Sequence, residues 1–237
     1  MTTDISEPRI STESREQLLY LLAEAAEIEH NLMCCYLFAA FSLKERSDEG
    51  VGADELEAIE GWRRATTSVA IEEMTHLALV ANLTTALGGA AHFSRPNFPV
   101  GAGFYPSGIT VQLAPFDRDT LQHFLYLERP EGSAIPDGAS FASTTVYARE
   151  TVIGKCMPSA QDYLTVGHLY RAIAEGLAAM VARQGEECTF IGEREAQVGP
   201  DLVNLPGMSV VVDLKSALAA IENGVSPGSG TANRGRG

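Results

Sequence analysis

The chain is short of positive charge. Seventeen basic residues stand against 31 acidic ones, a formal net charge of -14, and a surface of that sign repels a nucleic-acid backbone or an anionic bilayer. Cysteine is scarce too. Four in 237 residues, with Cys34 and Cys35 adjacent, suit free thiols better than a disulfide framework. No apolar run is long and charge-free enough to span a bilayer, and the opening MTTDISEPRISTES has neither the basic flank nor the apolar stretch of a secretory signal. Also missing are a Gly-rich phosphate loop after a strand, a Gly-x-Ser-x-Gly elbow, a Cys-x-x-Cys zinc pattern and a basic aromatic stripe. The expectation is a soluble, cytoplasmic protein that binds neither nucleic acid nor membrane.

What the chain does have is apolar periodicity. Its residues are 45% hydrophobic, enough for one sizeable core. Ser14 to Gln17 fits a capping box, and apolar residues then recur without Gly or Pro to about Lys44, which predicts a first long helix. After the turn SDEGVG a second begins at Ala53 or Asp54 and runs to Leu87, where Gly88 and Gly89 stop it. Two such helices joined by a short polar turn make half of a four-helix bundle. From Ala90 to Pro115 prolines and glycines interrupt the pattern, and Ile109, Val111 and Leu113 suggest one short strand. A third helix is expected from Asp117 or Asp119 to just before Pro130, a fourth from between Ser159 and Thr165 to about Gly185, and a shorter fifth over LKSALAAIE. The fold class is therefore mainly α: a four-helix bundle with long irregular crossovers and a short C-terminal helix. Residues 1–13 are expected to be a flexible N-terminus, 14–225 one domain, and 226–237, polar and Gly-rich, a disordered tail.

Steps of three and four along the second helix, from Trp62 through Ala65, Val69, Glu73, His76, Val80, Leu83 and Leu87, put Glu73 and His76 in its most apolar seam. An ionised carboxylate in a dry seam costs several kcal/mol unless it is partnered. A metal ion offsets that cost directly, and a buried ion pair is the blander account.

On the first helix Glu24, Glu27, Glu29 and His30 fall within two turns and cannot all face one way. One apolar seam contains Glu29, Leu32 or Met33, and Tyr36. The other contains Glu27, His30 or Asn31, and Cys34. Periodicity does not separate them, so a Glu27–His30 ligand pair stays open. On the fourth helix His168, Arg171 and Glu175 share a face, with Arg171–Glu175 readable as a surface ion pair. Glu128, at a helix end beside Arg129, is readable in the same way. His92 and His123 carry no functional assignment.

Glu29 followed two turns later by Tyr36, set against EEMTHLALVANLTTALGG, is similar to the first two helices of ferritin-like carboxylate-bridged metal proteins. The segments AEIEHNLMCCYLFAAFSLK, EEMTHLALVANLTTALGG, LYLERPE and TVGHLYRAIAEGL together resemble the ferritin-like domain of the iminophenylpyruvate dimer synthase type, found in violacein-type pigment assembly. The likeness spans roughly residues 15 to 225. It implies metal ligands at Glu29, Glu73 and His76. His168, where relatives of the domain often carry Glu, and Glu128 in YLERPE become further ligand candidates, beside Glu27, His30 and Glu175. Tyr36 becomes a hydrogen-bond donor or redox-active phenol behind the ligands, or else a core residue.

A di-metal carboxylate site takes Glu-x-x-His from each of two helices. Here the second is missing at His168, which leaves one ion, an asymmetric pair, or none at full affinity. Iron is the expected metal, with copper, manganese and zinc as alternatives. The function expected is an oxidase or oxygenase using dioxygen on a small, aromatic amino-acid-derived metabolite in secondary metabolism, as a monomer or homodimer. A metal-storage ferroxidase and a metal-free partner or dimerisation module are the alternatives.

Overall fold

The computed structural model describes residues 8–101, 105, 109–130, 133–142 and 158–225. The first seven residues and the tail expected to be disordered lie outside the described residues. Helix α1 runs Arg15–Phe41 and α2 runs Ala53–Ala86. Helices α3 (Arg118–Leu127), α4 (Val166–Gln184), a single-turn α5 (Glu186–Thr189) and α6 (Leu214–Val225) follow.

Four of the helices start where a side chain can take a free N–H group, α6 among them, where Asp213 accepts from Ser216 N at 2.7 Å. Ser14 accepts from Gln17 N, Asp117 from Thr120 N and Thr165 from His168 N. Only half of the capping box expected at Ser14 forms. The Gln17 side chain turns instead to Ser159, donating to its carbonyl and accepting from its amide, both at 2.9 Å, and so ties α1 to the segment before α4. Helix α2 ends at Gly88, whose φ of 79° suits glycine. The Arg15 guanidinium takes up the carbonyls of Leu87 and Thr189 there.

Helices α1 and α2 pack along their length, α4 packs on α1, and α6 packs on both α2 and α4. These four close a ring around the core. The short C-terminal helix is thus the fourth corner of the bundle, whereas α3 lies against α1 through the Phe124 ring, 4.4 Å from that of Tyr36. The stretch before α6 is fastened to α2 by Asn82, which donates to Val198 O and Ser209 O and accepts from Val198 N, all at 2.8 Å.

Two local expectations need correction. Among the described residues the predicted strand is a single bridge between Val100 and Val111. Trp62 does not begin the buried seam of α2. It is half exposed and stacks on Phe116, and the buried face there reads Ile59, Thr66, Ala70, Glu73.

Candidate metal centre

Glu29, Glu73 and His76 meet between α1 and α2. Each offers a ligand atom, and these atoms lie within 4.8 Å of one another. His76 Nδ1 is 3.4 Å from Glu29 Oε2 and 3.7 Å from Glu73 Oε2. Glu29 and Glu73 are 1% and 3% exposed, so bulk water does not solvate their charges. Helix α2 presents Glu73 and His76 together because residues three apart share a face. Helix α1 presents Glu29 one turn before Leu32 and two turns before Tyr36, all buried on that side.

Without an ion, the cluster must balance its own charge. Burial pushes the Glu73 carboxyl well above its usual range, and the negative charge of Glu29 adds to that. Burial would raise Glu29 as well, but its contacts with Glu73, His76 and Tyr170 outweigh it and hold the carboxyl below the ordinary value. Burial disfavours the His76 imidazolium, yet the two carboxyl groups beside it overcome this and carry its pKa up to about 11. An imidazolium and a shared carboxyl proton thus occupy the electrostatic place of a cation. Even so, Glu73 Oε2 is buried without a hydrogen bond and lies 3.7 Å from His76 Nδ1, so its charge is only loosely paired. Carboxylate and imidazole are the donors that iron, manganese or zinc accept, and the orphaned oxygen faces the others. The three residues fit one metal ion.

Two tyrosines stand behind the cluster. The Tyr170 hydroxyl donates to Glu29 Oε1 at 2.6 Å, and the Tyr36 hydroxyl donates to Glu128 Oε1 at 2.6 Å. The surface ion pair pictured for Glu128 with Arg129 is replaced by this hydrogen bond. Arg129 instead donates to the carbonyls of Tyr126 and Leu164 and lies over the Tyr126 ring. Burial raises the Glu128 carboxyl, and the charge of Glu29 contributes, which places Glu128 in the electrostatic reach of the centre. Tyr170 is not among the residues that the sequence pattern singles out. Its signal is a tyrosine in the α4 stripe that continues through Ile173 and Leu177, where a buried hydroxyl must find a partner.

The other candidates are placed elsewhere. Glu27 pairs with His92 at 2.9 Å on the crossover side of α1. His30 Nδ1 meets the Phe93 carbonyl at 3.0 Å. His168 is buried, and its Nδ1 accepts from Leu164 N at 3.3 Å. Glu175 faces Arg171 at 3.8 Å on the exposed side of α4. Among the described residues, only Glu29, Glu73 and His76 form a group of three that can hold an ion. Cys34, Cys35 and Cys188 are free thiols. No helix among the described residues is long and apolar enough to cross a membrane.

A bundle of this kind, with paired carboxylates and a histidine at its centre, defines a class. The chain belongs to the Ferritin-like family, whose model matches residues 22–235. Its relatives include a 2-imino-3-(indol-3-yl)propanoate dimerase of Chromobacterium violaceum, 30% identical over 60% of this chain and 16% of that protein. A dichlorochromopyrrolate synthase of Lentzea aerocolonigenes is 28% identical over 92% of this chain and 22% of that protein. The chain therefore spans about a fifth or less of the length of either enzyme. A crystal structure of a ferritin-like protein from Caulobacter vibrioides superposes with a TM-score of 0.55 at 18% identity, over 88% of this chain and 65% of that one. That likeness bears on the fold alone.

Proposed function

We propose that residues 14–225 form one metal-dependent oxidase or oxygenase unit that acts on a small, aromatic amino-acid-derived metabolite. The observation that carries this reading is the unpartnered Glu73 Oε2, buried beside Glu29 and His76 with all three ligand atoms within 4.8 Å. Iron, as one ion or an asymmetric pair, suits the donor set; when bound it supplies one-electron and dioxygen chemistry to an organic substrate. Glu29, Glu73 and His76 are the residues that would hold it. Tyr170 fixes Glu29 so that Oε2 faces the other ligands. Tyr36 keeps its hydroxyl proton against Glu128 Oε1.

The substrate class leans on the relatives, one of which is named for an indole-bearing imino acid. The long crossover, with Tyr105 buried and Phe98 partly so, is the segment available to cover such a molecule. Crossovers of this length also weigh against the smooth bundle faces that a storage shell packs together.

Oxygen uptake is the test. Chain loaded anaerobically with ferrous iron and then given oxygen is expected to consume it with turnover when an aromatic 2-imino acid is supplied. A single stoichiometric oxidation of iron, with assembly into a shell of many subunits on size exclusion, would make it a storage protein instead.

A further inference from the structure

Where α1 ends and α2 begins, the bundle carries an aromatic surface that no described segment covers. Phe41 is 77% exposed, Trp62 51% and Phe38 42%. Printed contacts make these one patch. Phe38 and Phe41 stand one turn apart at the end of α1. Beside them Ser42 Oγ accepts from Phe116 N at 2.7 Å, and the Phe116 ring stacks on that of Trp62 with centroids 6.0 Å apart. The Arg63 guanidinium donates to the carbonyls of Leu43 and Lys44 at 3.0 and 2.7 Å, which fastens α2 to the end of α1 at this level. At 1.5 Å per residue Phe41 lies about 18 Å along α1 from Glu29, so the patch is no part of the metal centre.

Size and charge decide what such a surface meets. Aromatic side chains carry about 150–250 Å² each, so the exposed parts of these three amount to roughly 300–400 Å². Exposed apolar patches of this size mark contact surfaces. A stable interface takes about 800 Å² from each partner, as an aromatic core inside a polar rim, and the patch has the dimensions of that core. Its margin is balanced in sign: Lys44 stands beside Glu45, Arg118 beside Asp117, and Arg63 pairs with Glu60 at 3.0 Å. A chain of net charge -14 repels its own copies. A margin of even sign removes that repulsion locally and lets each copy offer both signs to the other. A basic partner would require an acidic margin, and an anionic membrane a basic one.

We propose that this surface is the interface of a homodimer, in which a two-fold axis sets Phe41 of each copy against Trp62 and Phe116 of the other. The occupant is a second copy of this chain. The assignment is independent of the oxidase reading, because none of its residues belongs to the centre.

Trp62 is the single tryptophan of the chain, so its emission reports on this face alone. The full chain is expected to reach equilibrium in the ultracentrifuge as a dimer, with Trp62 emitting at the shorter wavelength of a buried indole. Phe41→Glu replaces a side chain that is mostly in water and should leave helicity unchanged. At the same concentration it is expected to sediment as a monomer, with Trp62 emission displaced to longer wavelength; Phe38→Glu should behave alike. A native chain that stays monomeric would overturn the assignment, as would a dimer that survives Phe41→Glu with its Trp62 emission unmoved. An emission shift caused by phospholipid vesicles in a chain that remains monomeric would also overturn it and give the face to a membrane.

Discussion

The Tyr170 hydroxyl and the Glu29 carboxylate are joined at 2.6 Å across the α4–α1 interface, and both residues are almost wholly buried. The bond goes to Oε1 and leaves Oε2 toward His76 and Glu73. A group behind a ligand that fixes its orientation is commonly worth roughly 10–100-fold in metal affinity. Tyr170→Phe keeps the ring that packs in the core and removes only the hydroxyl. We expect a loss of ferrous-iron affinity of that order with unchanged helicity, read by anaerobic titration beside circular dichroism.

Glu73→Gln separates folding from metal binding. Burial and Glu29 favour the protonated form of Glu73 in the metal-free chain, so a neutral amide of the same shape should cost the apo-protein little, within about 1 kcal/mol of native in urea unfolding. Metal binding needs the carboxylate, and the same variant should fail to take up iron. A large loss of apo-stability would mean that Glu73 is charged in the metal-free state.

Acidity should act on the centre in a definite direction. The His76 pKa is raised to about 11 from the imidazole value of 6.5, so its stabilising contribution to the metal-free chain is whole below pH 6.5 and fades as pH climbs toward 11. Glu73 is shifted up from 4.5; above that value the unfolded chain ionises while the folded one holds its proton, so Glu73 subtracts stability there. Both effects make the apo-protein less stable in alkali. Metal binding must displace these protons, and affinity should increase with pH by about tenfold per unit for each proton released. Calorimetric titrations in buffers of different ionisation enthalpy would count them.

Tyr36→Phe preserves contact with Phe124 but leaves Glu128 without its donor. A loss of about 1 kcal/mol is expected from removing a hydrogen bond to a partly buried carboxyl. Adding Glu128→Gln should recover part of it, because the amide no longer carries the charge that the phenol served. Thermal or urea unfolding of the two single variants and the double variant gives the coupling directly.

Much of this arrangement is legible in the amino-acid sequence. Capping residues Ser14, Asp117 and Thr165 and the stop at Gly88 mark helix ends, since they act within one turn of themselves. The inward direction of Glu73 and His76 follows from the stripe through Val80 and Leu83. The choice between Glu27 and Glu29 does not, because both α1 seams are apolar; it depends on the neighbouring element, and the crossover brings His92 to Glu27 and leaves Glu29 to α2. The role of α6 as a bundle corner is likewise a matter of tertiary contact that a local pattern does not carry. His168 has the right residue type, but its Nδ1 is taken by the Leu164 amide at the start of α4.

The most direct measurement is the metal content of protein purified without chelator, for the native chain, Glu73→Ala and His76→Ala, with helicity monitored. Bound iron or another transition metal in the native chain, lost in both variants while the helical signal stays, is the predicted result. The same metal content in all three would contradict the account, as would a native chain that takes up no ferrous iron under anaerobic conditions.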